Sequence, residues 1–160
     1  MNDSGEAGQG DDVESIGHLI RALADARHRA TNEEVNRLRG FFGDAVLPRV
    51  PGSYAREKYE RHVIENEEWP PGTSLDEYAR SLRSAVHHSE ASVRLYYDPA
   101  YEAWSIMFVA PSGAWEGPEG FPFIVVLFNA ERGWWVTGFQ PEDGLRYASR
   151  RGGFWLWRRR

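Results

Sequence analysis

The chain has 160 residues, of which 41% are hydrophobic and 14% aromatic, and its formal net charge is −5. This composition excludes a wholly disordered chain, argues against a strongly basic nucleic-acid binder, and at this length favours one domain. The absence of cysteine excludes disulfides and thiolate chemistry. No apolar stretch reaches the roughly 18 residues of a membrane span and no secretory signal is recognisable, so we expect a cytoplasmic protein with no membrane contact.

The first part of the chain predicts two helices. Residues 1–11 are small, polar and glycine-bearing, so we expect them to form a disordered leader. Apolar residues then repeat at helical spacing over residues 12–30. They repeat again after Thr31, where Glu34 completes a capping box. The two helices together predict a helical hairpin extension over residues 12–50.

Two further helices are predicted before the periodicity changes. Ser53 is the expected N-cap of a third helix that reaches about Glu68. Ser74 and Glu77 form a second capping box, and the apolar stripe that follows them predicts a fourth helix ending near His87.

After the fourth helix the apolar period changes from 3.6 to 2, which predicts antiparallel strands with short connections. The expected strands are Val93–Tyr97, Trp104–Val109, Phe123–Phe128 and Trp134–Phe139, followed by a short helix over Leu145–Ser149 and an edge strand over Phe154–Trp157. The sequence therefore predicts an α+β fold: N-terminal helices followed by a four- to five-stranded antiparallel β-sheet with helices packed on one face. We expect a single domain over residues 12–160.

The polar residues favour acid–base chemistry by histidine and arginine, because the sequence has no metal-binding string, phosphate loop or nucleophile elbow. His62 lies four residues after Lys58, so we expect the two to share a face of the third helix. It borders the apolar stripe, either as a tunable acid–base group or as a boundary histidine bonded to the sheet. Arg94 is either paired with a carboxylate or placed to hold an anion. Thr137 either offers a hydroxyl on an aromatic strand face or only fills a β-branched position.

Four short motifs occur in a recognisable order, and Tyr147 follows the last of them. They are Glu60-Arg61-His62-Val63-Ile64, the stretch from Trp69-Pro70-Pro71-Gly72 to Tyr78-Ala79, Leu95-Tyr96-Tyr97-Asp98-Pro99, and Val136-Thr137-Gly138-Phe139-Gln140-Pro141-Glu142-Asp143-Gly144. This order resembles bacterial toxin nucleases of the barnase–EndoU–colicin–RelE-like (BECR) group, over about residues 54–148.

The resemblance implies a metal-independent ribonuclease toxin or effector domain, with a nuclease-like core over residues 53–160 and no cofactor. RNA would be cleaved by attack of a ribose 2′-hydroxyl on the adjacent phosphate. RNA or tRNA and an inhibitor (immunity) protein would be its partners. By the same resemblance His62 is the acid–base residue, Arg94 binds phosphate, Thr137 donates a hydrogen bond in the transition state and Tyr147 is a further catalytic candidate. The substrate-binding candidates are Lys58, Arg61, Tyr96 and Arg146.

Asn66 occupies the position, one turn after His62, where many members of that group have a second histidine. A neutral amide cannot take a proton, so His87, His88 or a carboxylate such as Glu65 or Glu68 would have to act with His62. Two alternatives remain at this point. One is a catalytically inactive relative, and the other is a protein-interaction module that uses the aromatic sheet surface.

Overall fold

The structure, a computed structural model, describes residues 11–112, 122–141, 144–149 and 152–158. Four longer helices come first, then four strands, a short helix and a last strand. The helices are α1 (Val13–Ala26), α2 (Asn32–Gly40), α3 (Gly52–Tyr59), α4 (Leu75–His87) and α5 (Gly144–Ser149); the strands are β1 (Ser92–Asp98), β2 (Ala103–Pro111), β3 (Phe123–Asn129), β4 (Trp134–Phe139) and β5 (Phe154–Trp157).

The predicted helix starts are confirmed where a capping box marks them. The Thr31 hydroxyl accepts a hydrogen bond from the Glu34 backbone N–H at the start of α2, and the Glu34 carboxylate accepts one from the Thr31 backbone N–H. Ser74 and Glu77 do the same for α4. Such reciprocal bonds satisfy backbone donors that the first helical turn leaves unpaired. The expected Ser53 cap of α3 is wrong, because the helix begins at Gly52 after Pro51 and has no side-chain cap bond.

Two of the helices continue into wider π-helical turns. The turn after α2 spans Phe41–Val46, and the turn after α3 spans Glu60–Glu65. A π-helical turn adds a residue to the α-helical repeat and is often found at functional sites. The second one carries His62, so the expected continuous third helix is replaced by an α-helix that widens at the residue of interest.

The five strands form one antiparallel sheet in the order β4-β3-β2-β1-β5. The α+β fold class predicted from the sequence is therefore confirmed. β1 to β4 form a meander in which short turns join β1 to β2 and β3 to β4, and β5 returns to pair with β1. This order leaves β4 and β5 at the two edges of the sheet.

Both faces of the sheet are covered. One face carries fully buried aromatic rings such as Phe108 and Phe128, which join a single apolar cluster with buried residues of α1, α2 and α4. The opposite face carries Met107 and Val125 and packs against Ala148 of α5. The expected packing of helices on one face thus describes the four longer helices, while α5 lies against the other face.

A glycine on β4 allows α4 to approach the sheet closely. A Cβ atom at Gly138 would clash with a methyl carbon of Leu82. The close approach lets the buried Tyr78 of α4 reach the backbone of β4.

None of the helices in the described part of the chain has the length and apolar character needed to cross a bilayer. The expected leader over 1–11 lies almost entirely outside the described residues.

Candidate active site at the edge strand

The outer edge of β4 is bonded to helical side chains. The Tyr54 hydroxyl of α3 donates to the Val136 carbonyl oxygen over 2.6 Å, and the Tyr78 hydroxyl of α4 donates to the Gly138 carbonyl oxygen over 2.6 Å. Unpaired strand edges otherwise offer a template for pairing with another chain. These bonds protect the edge and also fix α3, with the π-helical turn that follows it, beside β4.

His62 lies in this π-helical turn between a carboxylate and a hydroxyl. Its Nδ1 is 2.9 Å from Oε2 of Glu68, and its Nε2 is 3.2 Å from Oγ1 of Thr137. The imidazole ring stacks on Phe139 with the ring centres 5.8 Å apart. The His62 side chain is 13% exposed, so the site is sheltered and still open to solvent.

Glu68 receives hydrogen bonds from three parts of the site. Besides His62, the Asn66 side-chain amide donates to Oε2 over 3.1 Å, and the backbone N–H of Gln140 donates to Oε1 over 2.7 Å. The Gln140 side-chain amide in turn donates to the Glu68 carbonyl oxygen over 2.9 Å. Glu68 is only 8% exposed, and a buried carboxylate needs such donors to offset its lost hydration.

The backbone conformation at Glu67 turns the chain so that Glu68 faces His62. Glu67 has a φ of 53°, a left-handed conformation uncommon for a residue other than glycine. The backbone N–H of Glu68 then donates to the His62 carbonyl oxygen over 2.9 Å. A conformation of this kind costs roughly 1–2 kcal/mol and persists where the surrounding contacts hold it.

This geometry determines the proton position on His62. An ionised carboxylate only accepts hydrogen bonds, so Nδ1 of His62 carries the proton that it shares with Glu68. In the neutral imidazole Nε2 is then an acceptor, and Thr137 donates its hydroxyl proton to it. The Thr137–His62–Glu68 arrangement therefore holds an imidazole with its basic nitrogen toward a hydroxyl, as general acid–base catalysis requires.

Tyr147 borders the site through Phe139. Its ring packs edge-on against Phe139 with the ring centres 4.9 Å apart, and Phe139 in turn stacks on His62. Arg146 is exposed on the same short helix, α5. The predicted motif also includes residues 142–143, which lie outside the described residues.

Lys58 and Arg61 are the predicted cations nearest to His62 in the chain. The Lys58 ammonium lies 5.3 Å from the centre of the Tyr54 ring. Burial lowers the pKa of Lys58, and the positive charge of Arg61 lowers it further. Arg61 is exposed. Because the helix widens at Glu60, the α-helical spacing from which Lys58 and His62 were expected to share a face does not apply.

Arg94 and Tyr96 are not brought to the site. Arg94 donates to the carbonyl oxygens of Gly152 and Gly153 over 2.8 and 3.2 Å, toward β5. Its strand lies three positions from that of Thr137, or about 14 Å at the usual strand spacing. Tyr96 is 1% exposed within the second apolar cluster. The structure therefore assembles His62 and Thr137 and leaves Arg94 apart from them.

Sequence reasoning named Glu68 only as one possible substitute for a second histidine, and it missed Gln140. The other histidines considered for that part contact different groups: His87 is 3.0 Å from Asp44, and His88 bonds the backbone of Glu90. The sequence position of Glu68 did give a signal. It lies directly before the Trp69-Pro70-Pro71-Gly72 break that follows the predicted third helix, and the chain commonly reverses direction at such a break. The contact with Gln140 depends on tertiary pairing that no local pattern encodes.

No protein-family description, curated protein or solved structure was found to match this chain. Within the described residues, no group of three His, Asp or Glu side chains is arranged to hold a metal ion.

Proposed function

We propose that this chain is a metal-independent, ribonuclease-like domain in which His62 is the acid–base residue. The observation that carries the proposal is the hydrogen-bonded series from Thr137 Oγ1 to His62 Nε2 and from His62 Nδ1 to Glu68. Glu68 orients the imidazole and stabilises the imidazolium that forms when it takes a proton. The Thr137 hydroxyl occupies the position beside His62 Nε2 that a substrate hydroxyl would have to take.

The proposed reaction is attack of a ribose 2′-hydroxyl on the adjacent phosphate. His62 Nε2 takes the hydroxyl proton, the 2′-oxygen bonds to phosphorus, and the bond from phosphorus to the 5′-oxygen breaks. The proton returns from the imidazolium through solvent to the leaving 5′-oxygen. The products are a 2′,3′-cyclic phosphate and a 5′-hydroxyl end. Thr137 would then donate to a phosphate oxygen, where charge develops in the transition state.

Arg61 and Lys58 are the positive groups that we propose for binding the RNA backbone, because they precede His62 on the same helical segment. Arg94 is left out of this proposal, since its guanidinium is bonded to the Gly152 and Gly153 carbonyls. Whether an inhibitor protein accompanies the domain, as the resemblance implies, stays a prediction.

The chemistry can be tested with RNA in the presence of EDTA. We expect a short RNA to be cut to products with 2′,3′-cyclic phosphate ends, and an RNA with a single 2′-deoxy substitution to resist cutting at that position. Thr137→Ser should retain most of the rate because it keeps the hydroxyl. Thr137→Val should lose about tenfold or more. Uncut RNA and tRNA, or equal cutting of the 2′-deoxy position, would reject this function.

The aromatic sheet surface gives little support to the interaction-module alternative. Both sheet faces are buried within the described residues, and of the strand tryptophans there Trp134 is the one whose exposed fraction is large, at 55%. The alternative to a ribonuclease is a catalytically inactive relative. In that case the protein should bind RNA without cleaving it, and His62→Ala should leave the binding unchanged.

A further inference from the structure

A cavity that takes no part in the His62 site lies between the N-terminal helices and the β3–β4 hairpin. Its volume is about 580 Å³. This falls within the roughly 300–1,000 Å³ typical of small-molecule sites. Its walls come from the start of α1, the π-helical turn Phe41–Val46, the start of α3 and the hairpin. The inference below therefore does not depend on the proposed ribonuclease function.

Exposed apolar side chains are concentrated around this cavity. In the described part of the chain five large hydrophobic residues are exposed, and three of them line it: Val13 at 45%, Tyr101 at 39% and Trp134 at 55%. A cluster of exposed apolar surface around a concave site is typical of a binding site, whereas single exposed residues are ordinary.

Two residues that line the cavity each carry a buried hydrogen-bond donor with no acceptor among the described residues. The donors are Nδ2 of Asn129 and Nε1 of Trp135. Asn129 is fully buried, and its Oδ1 accepts from the backbone N–H of Arg132 over 3.0 Å, which leaves the amide nitrogen as the free group. An unpaired buried donor is costly, and a ligand oxygen would relieve this cost.

The charge of the lining is positive. Arg49 is exposed at the cavity, and it forms no ion pair with any residue that the structure describes. Among the described residues that line the cavity there is no Asp or Glu. Apart from the exposed Tyr101 hydroxyl, the unpaired polar side-chain groups of the described lining are therefore donors and a cation, while the rest of it is mainly aliphatic and aromatic.

We propose that this cavity binds a small amphipathic anion, with an apolar body against Phe41, Val46 and Trp134. Its carboxylate or sulfonate oxygens pair with Arg49 and accept hydrogen bonds from Asn129 and Trp135. The ligand class follows from the lining: donors without acceptors select an oxygen-bearing anion, and the aromatic walls select an apolar body.

The test uses two fluorescent probes with related aromatic bodies. Anilinonaphthalene sulfonate carries the anion, and phenylnaphthylamine lacks it. We expect the sulfonate to bind the full-length protein saturably, with one molecule per chain, and more tightly than the neutral probe. Thermal unfolding with each probe should show the larger rise in Tm for the sulfonate, because a ligand that binds only the folded state stabilises it.

Variants then distinguish the effect of the positive charge on probe binding from the effect of the cavity volume. Arg49→Gln and Trp135→Phe should each weaken sulfonate binding by about threefold to tenfold and leave the neutral probe nearly unchanged. Arg56→Gln, at an exposed position on α3 outside the cavity, is the matched control for lost charge. Ala45→Phe should fill the cavity and weaken both probes, and Ala26→Phe on the exposed end of α1 should weaken neither.

Circular dichroism of each variant identifies any that fails to fold, and Trp135→Phe and Arg49→Gln give independent readings of the same anion. The proposal is overturned if the sulfonate does not bind saturably, or if Arg49→Gln and Arg56→Gln affect it equally. It is also overturned if ultracentrifugation shows a dimer that Trp134→Ser abolishes, because a second copy of the chain would then cover this surface.

Discussion

At the residue scale, the Glu68 carboxylate connects three separate parts of the chain: His62 in the π-helical turn, Asn66 after it and Gln140 at the end of β4. Such a buried polar network stabilises one arrangement only while every member is bonded. The side chain at position 66, which cannot replace a second histidine, here supports the carboxylate that orients the first.

Glu68→Gln tests this network. The amide keeps the size of the side chain and one accepting oxygen, but it loses the charge that His62 and Asn66 face. We expect the free energy of unfolding to fall by about 1–3 kcal/mol, as for a lost charge-assisted hydrogen bond. RNA cleavage should fall by more than the fraction unfolded explains. Urea denaturation and initial cleavage rates measure the two effects, and Glu65→Gln, at an exposed position, is the control. Unchanged stability would show that Glu68 does not hold the site together.

At the element scale, α3 and α4 are fixed to the edge strand by two tyrosine hydroxyls. Tyr78 is 1% exposed and Tyr54 is half-buried. Burial raises the pKa of Tyr78 strongly, so its hydroxyl stays protonated and remains a donor at neutral pH. This attachment places His62 against Thr137.

Tyr78→Phe should therefore destabilise the fold by about 1–3 kcal/mol, because it leaves the buried Gly138 carbonyl without its donor. Tyr54→Phe removes a less buried bond and should cost about 0.5–1.5 kcal/mol. Urea unfolding of both variants and of the exposed Tyr97→Phe as a control gives the comparison. Equal losses for Tyr78→Phe and Tyr97→Phe would contradict the role of the edge bonds.

A second attachment, between the π-helical turn after α2 and α4, depends on pH. Burial alone would raise the pKa of Asp44, but hydrogen bonds from Arg83 and His87 outweigh it and lower the pKa from its ordinary value of 3.8. A carboxyl with a depressed pKa contributes stability above its unfolded pKa, and this is lost as the pH falls through the folded value.

Asp44→Asn should therefore destabilise the protein near pH 7, and the difference from the parent should vanish as the pH falls through the lowered pKa of Asp44. The Asp44 side chain is 47% exposed, so solvent screening limits the effect to at most about 1 kcal/mol. Urea unfolding at several pH values measures it. A difference that persists unchanged in acid would mean that the carboxylate charge is not responsible.

At the scale of the whole molecule, an acidic chain with few cations near its site should bind RNA weakly. If Lys58 and Arg61 are the two phosphate contacts, the logarithm of the affinity should fall with the logarithm of salt concentration with a slope of about −1.4. Replacing either residue by Gln should reduce this slope by about 0.7. Fluorescence titrations of labelled RNA give the slope. A much steeper slope, typical of proteins that contact many phosphates, would show that the RNA binds to a surface other than the one with Lys58 and Arg61.

The fold was predictable from the sequence because its signals are local. The capping boxes at Thr31 and Ser74 mark the starts of two helices, and the change of period after Glu90 marks the start of the sheet. The site was predictable in part: His62 and Thr137, two of the candidate residues named from the sequence, lie in contact. The separation of Arg94 follows from strand order, which alternation along one strand does not determine.

The most direct measurement of the central claim is the rate at which purified protein cleaves RNA in EDTA, compared between His62→Ala and His87→Ala. His87 is bonded to Asp44 and takes no part in the proposed site. We expect His62→Ala to lose at least about a hundredfold in rate, as general acid–base groups contribute roughly 10²–10⁴, and His87→Ala to remain near the parent. Equal rates for the two folded variants, or no cleavage by the parent protein, would contradict the account.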